Sequence, residues 1–136
     1  MPPSAATGGD RRWLAAIQKL QTRLDQPFEE TFDLTPAKAA TLARLFRGCG
    51  RELARLGSPS DRLREVDELV KQACAQYHKS ARCFAAFAST SGETKQNQAF
   101  DCAAAAQEEG SALLIQAEAE GEAILELPDD PDLTSP

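Results

Sequence analysis

Apolar residues recur at every third or fourth position along most of this chain, which is the spacing of one face of an α-helix. The first such stretch has four of them: Trp13, Ile17, Leu20 and Leu24. Asp10 lies just before it and is a residue type favoured at the N-cap, while Pro27 follows it and stops a helix. The pattern therefore predicts a first helix over residues 10–25.

A second amphipathic stretch follows Thr35 and Pro36, which are a favoured N-cap residue and a favoured first helical residue. Its apolar positions keep the helical spacing: Ala39, Leu42, Phe46, Cys49, Leu53 and Leu56. Gly48 and Gly50 interrupt this stretch and cost about 1 kcal/mol each relative to alanine. Because the spacing continues across both glycines, we expect one helix that ends at 57–59.

Two longer stretches complete the pattern. The third helix is predicted from about Ser60 to Ser91, and the residues on its buried face are Leu63, Val66, Val70, Ala73, Tyr77, Ser80, Phe84 and Phe87. The fourth is predicted over 93–126, with this buried face: Gln96, Ala99, Ala103, Ala106, Gly110, Leu113, Ala117, Glu120, Ile124 and Leu127. Most of these side chains are small, so another helix can approach closely. The alternative is a groove for a small apolar ligand.

Short connectors between the helices imply antiparallel neighbours. The sequence thus predicts an all-α, antiparallel up-down four-helix bundle with long third and fourth helices. We expect residues 1–9 to form a flexible lead, 10–127 to form the bundle and 128–136 to form an acidic tail. No run of about 18 apolar residues occurs, so no transmembrane segment is predicted.

Charge is distributed unevenly along the chain, whose formal net charge is −6. Residues 38–64 contain seven basic and two acidic residues, whereas residues 93–136 contain one basic and eleven acidic residues. The second helix is therefore cationic and the fourth is acidic. The overall acidic balance argues against a nucleic-acid partner, because nucleic-acid binding requires clustered positive charge.

The four cysteines constrain how the helices pair. Cys74 and Cys83 are nine residues apart on the third helix, which turns them to opposite sides and prevents them from pairing with each other. Cys83 and Cys102 lie level across the hairpin between helices three and four, so we predict a disulfide between them. Such a bridge stabilises a fold by about 3 kcal/mol through restriction of the unfolded chain.

Cys49 and Cys74 are the remaining pair. If the turn lies near residue 58, the helical rise per residue places Cys49 and Cys74 about 10 Å apart along the helix axes. This bridge therefore fits less well, unless the connector before helix three is longer. The alternative is four reduced thiols that pack as small apolar residues. Bridged cysteines predict an extracytoplasmic protein, and reduced cysteines a cytoplasmic one.

Five of the six phenylalanines are expected at one end of the bundle, where the tip of the last hairpin projects beyond helix two. These residues are Phe28, Phe32, Phe84, Phe87 and Phe100. In one interpretation, the connector between helices one and two covers the tip and buries the rings. In the other, the rings form an exposed apolar patch that binds a partner.

Helix two also has a stripe of four arginines: Arg44, Arg47, Arg51 and Arg55. Such rows are commonly solvated or paired with acids on a neighbouring helix, for which Glu118 and Glu122 are candidates. The alternative is a binding surface for an anionic partner.

His78 is the only histidine and lies one turn after Cys74. Together with Cys49, these two residues are a candidate Zn²⁺ or Cu⁺ site. No Cys-x-x-Cys, His-x-x-x-His or Glu-x-x-His spacing supports such a site, so we expect no metal and no cofactor. A Cys74–His78 pair also lacks the third member and the oxyanion hole that nucleophilic catalysis needs, so we expect no catalytic residues.

These features predict a non-enzymatic binding or adaptor domain whose partner is a protein. Its binding surface is expected at the phenylalanine-rich end or along the arginine stripe. The alternatives are a metal- or redox-handling bundle that uses its cysteines, and a carrier of a small apolar ligand. No sequence motif points to a known family.

Overall fold

The structure, a computed structural model, describes residues 3–26 and 34–126, with side chains described from residue 9 onward. These ranges contain four α-helices: α1 (Pro3–Asp25), α2 (Pro36–Leu56), α3 (Arg64–Ser89) and α4 (Glu93–Glu126). A 3₁₀ turn, Asp61–Leu63, leads into α3. The predicted all-α four-helix bundle is confirmed, and α4 is the longest helix, with 34 residues.

The helices form an antiparallel ring in chain order. α3 packs against α2 on one side and against α4 on the other, and α1 closes the ring between α4 and α2. α2 and α4 therefore occupy opposite corners of the bundle, as do α1 and α3. The tight turn between α3 and α4 contains Gly92 with a positive φ of 102°, a backbone conformation that favours glycine.

The start of α1 differs from the prediction. The helix begins at Pro3 instead of residue 10, so Asp10 lies inside it and is buried. Its carboxylate accepts hydrogen bonds from the backbone N–H of Ser60, at 2.9 Å, and from the Ser60 hydroxyl. The expected N-cap role of Asp10 is therefore wrong, because its side chain bonds the connector between α2 and α3 instead of its own helix.

The start of α2 is as predicted. Thr35 is extended, and its hydroxyl accepts a hydrogen bond of 3.1 Å from the backbone N–H of Lys38. Pro36 follows at the first helical position, where its missing N–H has no intrahelical role. The helix continues through Gly48 and Gly50 to Leu56, as the apolar spacing requires.

The aromatic centre of the core joins α2 to α3. Phe46 is fully buried and its ring lies 5.0 Å from that of Tyr77 in an edge-on arrangement. The ring of Phe84 lies 5.8 Å from the Phe46 ring on the other side. Aromatic pairs at such distances add about 0.5–1.5 kcal/mol to the stabilisation from burial, so these three rings fix the angle between α2 and α3.

The buried face of α4 departs from the prediction over its second half. The buried residues are Ala103, Ala106, Gly110, Leu114, Ala117, Gly121 and Leu125. The predicted Leu113, Glu120 and Ile124 are only half-buried, as are Gln96 and Ala99 near the start of the helix, and Leu127 lies outside the described residues. The observed set repeats every 11 residues, which matches the 3.67 residues per turn of a nearly straight helix. The predicted alternation assumed 3.5 residues per turn and drifts off this face by about 20° per heptad.

Two glycines allow close contacts with α4. A Cβ added at Gly110 would lie 2.9 Å from the ring of Tyr77 and 3.2 Å from the carbonyl oxygen of Ala73. A Cβ added at Gly121 would lie 2.9 Å from a methyl group of Leu14 on α1. The space beside these small residues is therefore filled by side chains of α3 and α1, and is not a pocket for an apolar ligand.

The end of α4 receives hydrogen bonds from outside the helix. Arg11 of α1 donates from Nη2 to the carbonyl oxygen of Leu125 at 2.9 Å, and Arg62 donates to that of Ile124 at 2.7 Å. Carbonyl groups in the last turn of a helix have no N–H group of the same helix from which to accept a hydrogen bond. Two guanidinium groups from other segments therefore complete this end of α4.

Gly110 and Gly48 provide a matched test of this packing. Gly110→Ala is expected to destabilise the protein by about 1–3 kcal/mol, because the new methyl group overlaps the Tyr77 ring. Gly48→Ala is expected to stabilise it by up to about 1 kcal/mol, because a Cβ there meets no atom within 4 Å. Urea denaturation of both variants measures the difference, and equal effects would contradict the close approach of α3 and α4.

Candidate functional site

The cysteines form two pairs at disulfide distance. Cys83 and Cys102 have Cα atoms 5.8 Å apart across the α3–α4 hairpin, as predicted. Cys49 and Cys74 also pair, with Cα atoms 5.4 Å apart, so the expected misalignment of about 10 Å is wrong. The connector between α2 and α3 extends over residues 57–63, and this extra length brings the two cysteines level.

The disulfide changes the interpretation of the candidate metal ligands. Cys49 and Cys74 are bonded to each other, so neither offers a thiolate beside His78. Within the described residues, no group of three or more His, Cys, Asp or Glu side chains is placed to hold a metal ion. The alternative assignment of Cys74, His78 and Cys49 as a metal site therefore does not fit the oxidised protein.

The phenylalanines predicted at one end separate into different environments. Phe84 and Phe87 are 1% and 9% exposed and belong to the core instead of a surface patch. Phe100 on α4 is 40% exposed. Phe28 and Phe32 lie outside the described residues. Of the described rings in this set, Phe100 alone is accessible to a partner.

The arginine stripe lies on the surface of α2, and all four of its members are exposed. Glu52 lies 3.7 Å from Arg55 and 3.7 Å from Arg23 of α1. Pairing of the stripe with Glu118 or Glu122 is not observed, because α4 occupies the corner opposite α2. No carboxylate among the described residues lies within ion-pair distance of Arg44, Arg47 or Arg51.

Beside this stripe, an open groove of about 650 Å³ runs between α1 and α2. Its floor is apolar and consists of Ala15, Ala16, Leu20 and Leu56. Leu56 is 38% exposed at the end of α2. A second depression of about 370 Å³ shares Leu56 and continues toward Trp13 and Ser58. We refer to the first depression as the α1–α2 groove.

Positive charge borders the α1–α2 groove on its α1 side. Lys19 and Arg23 line it from α1. On α2 the charged residue that lines the groove is Glu52, which pairs with Arg23. Since exposed ion pairs such as those of Glu52 are individually weak, the surroundings of the groove stay cationic overall.

The sequence contains a signal for this groove that the apolar spacing did not reveal. Ala15 and Ala16 have small side chains on the part of α1 that also holds Lys19 and Arg23. Small residues there leave space between α1 and α2, and an added Cβ at Gly48 likewise meets nothing within 4 Å. Ala15 and Ala16 are the small residues that line the groove.

A second polar site lies where α1 ends against α3 and α4. The carboxylate of Asp25 accepts four hydrogen bonds: from Gln21 Nε2 (2.8 Å), Tyr77 Oη (2.9 Å), Ser111 Oγ (2.9 Å) and Gln107 Nε2 (3.2 Å). A carboxylate is unfavourable at the C-terminus of a helix because the helix dipole is negative there. An acid at this position therefore indicates that hydrogen-bond donors lie nearby. This site was not predicted from the sequence.

Burial affects the ionisation of two side chains beside Asp25. Burial first, and the negative charge of Asp25 next, raise the pKa of Tyr77 well above its usual 10.0. Burial first, and then the charges of Glu122 and Asp25, raise the pKa of Glu118 from 4.5 to about 7. The Oε2 atom of Glu118 is buried and has no hydrogen-bond partner among the described residues.

Comparison of the chain with protein-family models, curated proteins and solved structures found no match. Within the described ranges, no helix is both long and apolar enough to cross a lipid bilayer.

Glu118 is expected to make stability depend on pH. The unfolded chain releases the Glu118 proton near pH 4.5, whereas the folded protein keeps it until about pH 7. The folded state therefore binds more protons in this window, and the free energy of unfolding falls as pH rises through it. Glu118→Gln is expected to gain stability relative to the wild type across the same window, as measured by urea denaturation.

Glu108→Gln is the control, since Glu108 is an exposed acid on the same helix. It makes the same change in net charge without removing a buried oxygen. A Glu118→Gln advantage that does not grow between pH 4.5 and about 7 would contradict the expected titration of Glu118.

Proposed function

We propose that this protein is a non-enzymatic binding domain whose α1–α2 groove takes an acidic amphipathic helix of a protein partner. The observation that supports this most directly is the combination of an apolar floor with two basic residues along the α1 side of one groove. An amphipathic helix buries its apolar face in such a groove and leaves its polar face toward the sides.

The shape of the groove favours a helix as the occupant. Two neighbouring antiparallel helices present parallel ridges of side chains, and a third helix packs between them at the usual spacing of about 8–10 Å. The small side chains of Ala15 and Ala16 leave room for this approach. Leu20 and Leu56 then supply apolar surface along the floor.

The charge around the groove favours an acidic partner. Lys19 and Arg23 on α1 line the groove, against the one acid Glu52 on α2. Complementary charge of this kind raises association rates and sets the orientation of a bound partner. Glu52 reduces the local charge where it pairs with Arg23, but the two bases still outnumber it.

An anionic lipid surface is the other partner that positive charge attracts. A bilayer surface is broad and nearly flat, so it contacts convex cationic faces better than the floor of a groove. The concave shape of the α1–α2 groove therefore favours a peptide helix over a membrane, and the experiment below distinguishes the two.

We also infer that the protein works in an oxidising, extracytoplasmic compartment. Support comes from the pairing of all four cysteines, because stable disulfides are rare in reducing compartments. The bridges connect α2 to α3 and α3 to α4, so they would hold the α2 side of the groove in place.

Binding is tested with two synthetic amphipathic peptides that share an apolar face and carry either Glu or Lys on the polar face. The Glu peptide is expected to bind and the Lys peptide is not. A double variant, Lys19→Glu with Arg23→Glu, is expected to weaken the Kd for the Glu peptide by at least about tenfold, as measured by calorimetry.

The matched control is Lys79→Glu with Arg82→Glu, which reverses two exposed charges on α3. It is expected to leave the Kd within a few-fold of the wild type. Equal weakening by both double variants would show a general charge effect and overturn the groove proposal. Binding to anionic vesicles with no binding to the Glu peptide would assign the surface to lipid instead.

Thiol chemistry tests the proposed compartment. Protein isolated from an oxidising compartment and denatured without reductant is expected to take up no alkylating reagent, as read by intact mass. Partial reduction of the folded protein is expected to open Cys83–Cys102 first, because Cys49 and Cys74 are only 0% and 5% exposed. Four alkylated cysteines before any reduction would contradict the inference.

A further inference from the structure

Glu118 lies on the side of α4 that packs against α1. Ser111 of α4 donates a hydrogen bond to Asp25 of α1. Gln18 of α1 donates one of 2.7 Å to Glu122 of α4. Glu118 comes two turns after Ser111 and one turn before Glu122, so it shares their side of the helix. The carboxyl group of Glu118 therefore lies within the contact between α1 and α4.

This contact brings three carboxyl groups into one neighbourhood, and only one of them lacks donors. Asp25 accepts hydrogen bonds on both of its oxygens, whereas Oε2 of Glu118 is buried and has no hydrogen-bond partner among the described residues. The charges of Glu122 and Asp25 both act on Glu118 and disfavour its ionised form. A buried carboxylate without donors is costly, and the neutral acid is much less so. The contact is therefore most stable while Glu118 holds its proton.

The groups that reach this part of α4 from other elements do not offset that cost. Tyr77 of α3 interacts with Glu118, but its raised pKa keeps the hydroxyl neutral. Arg11 of α1 and Arg62 of the 3₁₀ turn donate to backbone carbonyl groups near the end of α4. These carbonyl groups lie about 10 Å beyond Glu118 along the helix axis.

The other basic residues of α1 lie toward α2 and its connector. Lys19 and Arg23 line the α1–α2 groove, where Arg23 pairs with Glu52. Arg12 lines the depression beside Ser58. On α4 itself, no Lys, Arg or His follows Lys95. Ionisation of Glu118 therefore adds a third negative charge next to those of Asp25 and Glu122.

The second half of α1 is the segment that is able to respond. Both disulfides involve α3, with α2 in one and α4 in the other, and neither reaches α1. The first half of α1 is bonded to the α2–α3 connector through Asp10 and through Trp13, whose Nε1 donates to the carbonyl oxygen of Gly57 at 3.1 Å. Over residues 18–25, the hydrogen bonds to α3 and α4 involve Gln18 and Asp25. Residues 18–25 can therefore separate from α4 while the first half stays bound.

We propose that Glu118 is a pH-sensitive latch. While it holds its proton, residues 18–25 of α1 stay packed on α4, and when the proton is lost these residues open away from α4. Opening lets water reach the carboxylate and moves Asp25 away from it, which removes two of the causes that disfavour its ionised form. Lys19 and Arg23 belong to the opening segment and line the α1–α2 groove, so the latch also changes the α1 side of the groove.

Proton linkage determines the direction of the pH effect. In the closed form the pKa of Glu118 is about 7, and in the open form, where water surrounds the side chain, it returns toward 4.5. Between these two values the closed form keeps a proton that the open form has released. The equilibrium constant for opening therefore rises with pH across this window, by up to about tenfold per pH unit. Above about pH 7 both forms are ionised and the constant levels off.

Hydrogen–deuterium exchange of backbone amides, followed by NMR, measures this opening. A short helical segment without packing is unstable in water, so opening exposes the amides of residues 18–25. After correction for the intrinsic exchange rates, their protection factors are expected to fall at least about tenfold from pH 5 to pH 7. Amides at the centre of α3 are expected to keep higher protection at every pH, because they exchange by global unfolding. Low urea concentrations are expected to change exchange at 18–25 little, because local opening exposes little surface.

Three variants of α4 separate the latch from a general charge effect. Glu118→Gln removes the titrating group and is expected to hold the protection of residues 18–25 constant to within about twofold from pH 5 to pH 7. Glu122→Gln removes one of the two charges that act on Glu118 and keeps an oxygen for the Gln18 amide, so it is expected to show a smaller fall than the wild type. Glu108→Gln, at an exposed acid, is the control and is expected to keep the full fall.

Three results would overturn the inference: equal protection of residues 18–25 and α3 at every pH, a wild type whose protection at 18–25 does not change with pH, or a pH dependence that Glu118→Gln retains. Circular dichroism checks that each variant is folded. If Glu118→Gln is unfolded, Glu122→Gln decides the test, and a fall as large as that of the wild type contradicts the latch. All of these measurements are made without a peptide, so the latch and the proposed function of the groove can fail independently.

Discussion

The position of α3 between two helices is the constraint on which the other features depend. Nine residues turn an α-helix through half a revolution, so Cys74 and Cys83 emerge from opposite sides of α3 and bind different partners. The same helix places Tyr77 against Phe46 of α2 on one side and over Gly110 of α4 on the other. Covalent bonds and close packing thus join α2, α3 and α4 into one unit, with the arginine stripe on the outer surface of α2.

α1 is attached to this unit by a different kind of interaction. Neither disulfide involves it. Its buried apolar side chains pack in the core, and two carboxylates add polar contacts. Asp10 bonds Ser60 in the α2–α3 connector, and Asp25 receives hydrogen bonds from α3 and α4. One side of the groove is therefore joined covalently to α3, through Cys49, and the other is held by packing and hydrogen bonds.

The fold could be predicted from the sequence because it depends on local rules. The apolar spacing defined all four helices, Thr35 and Pro36 located the start of α2, and helical rotation identified the Cys83–Cys102 pair. The groove was not predicted, because it depends on how small side chains of α1 lie beside the end of α2 in the folded protein. The polar contacts of Asp10 and Asp25 were not predicted for a related reason. Both side chains accept hydrogen bonds from residues of other elements.

The end of α4 shows how one helix depends on the others. Its last turns are acidic, and acids near a helix C-terminus oppose the helix dipole, so this part of α4 is unfavourable in isolation. Arg11 and Arg62 supply the positive charge and the donors that it lacks, at the carbonyl groups of Leu125 and Ile124. This end of α4 therefore depends on α1 and on the 3₁₀ turn before α3, and loss of either guanidinium group would leave a carbonyl group without its donor.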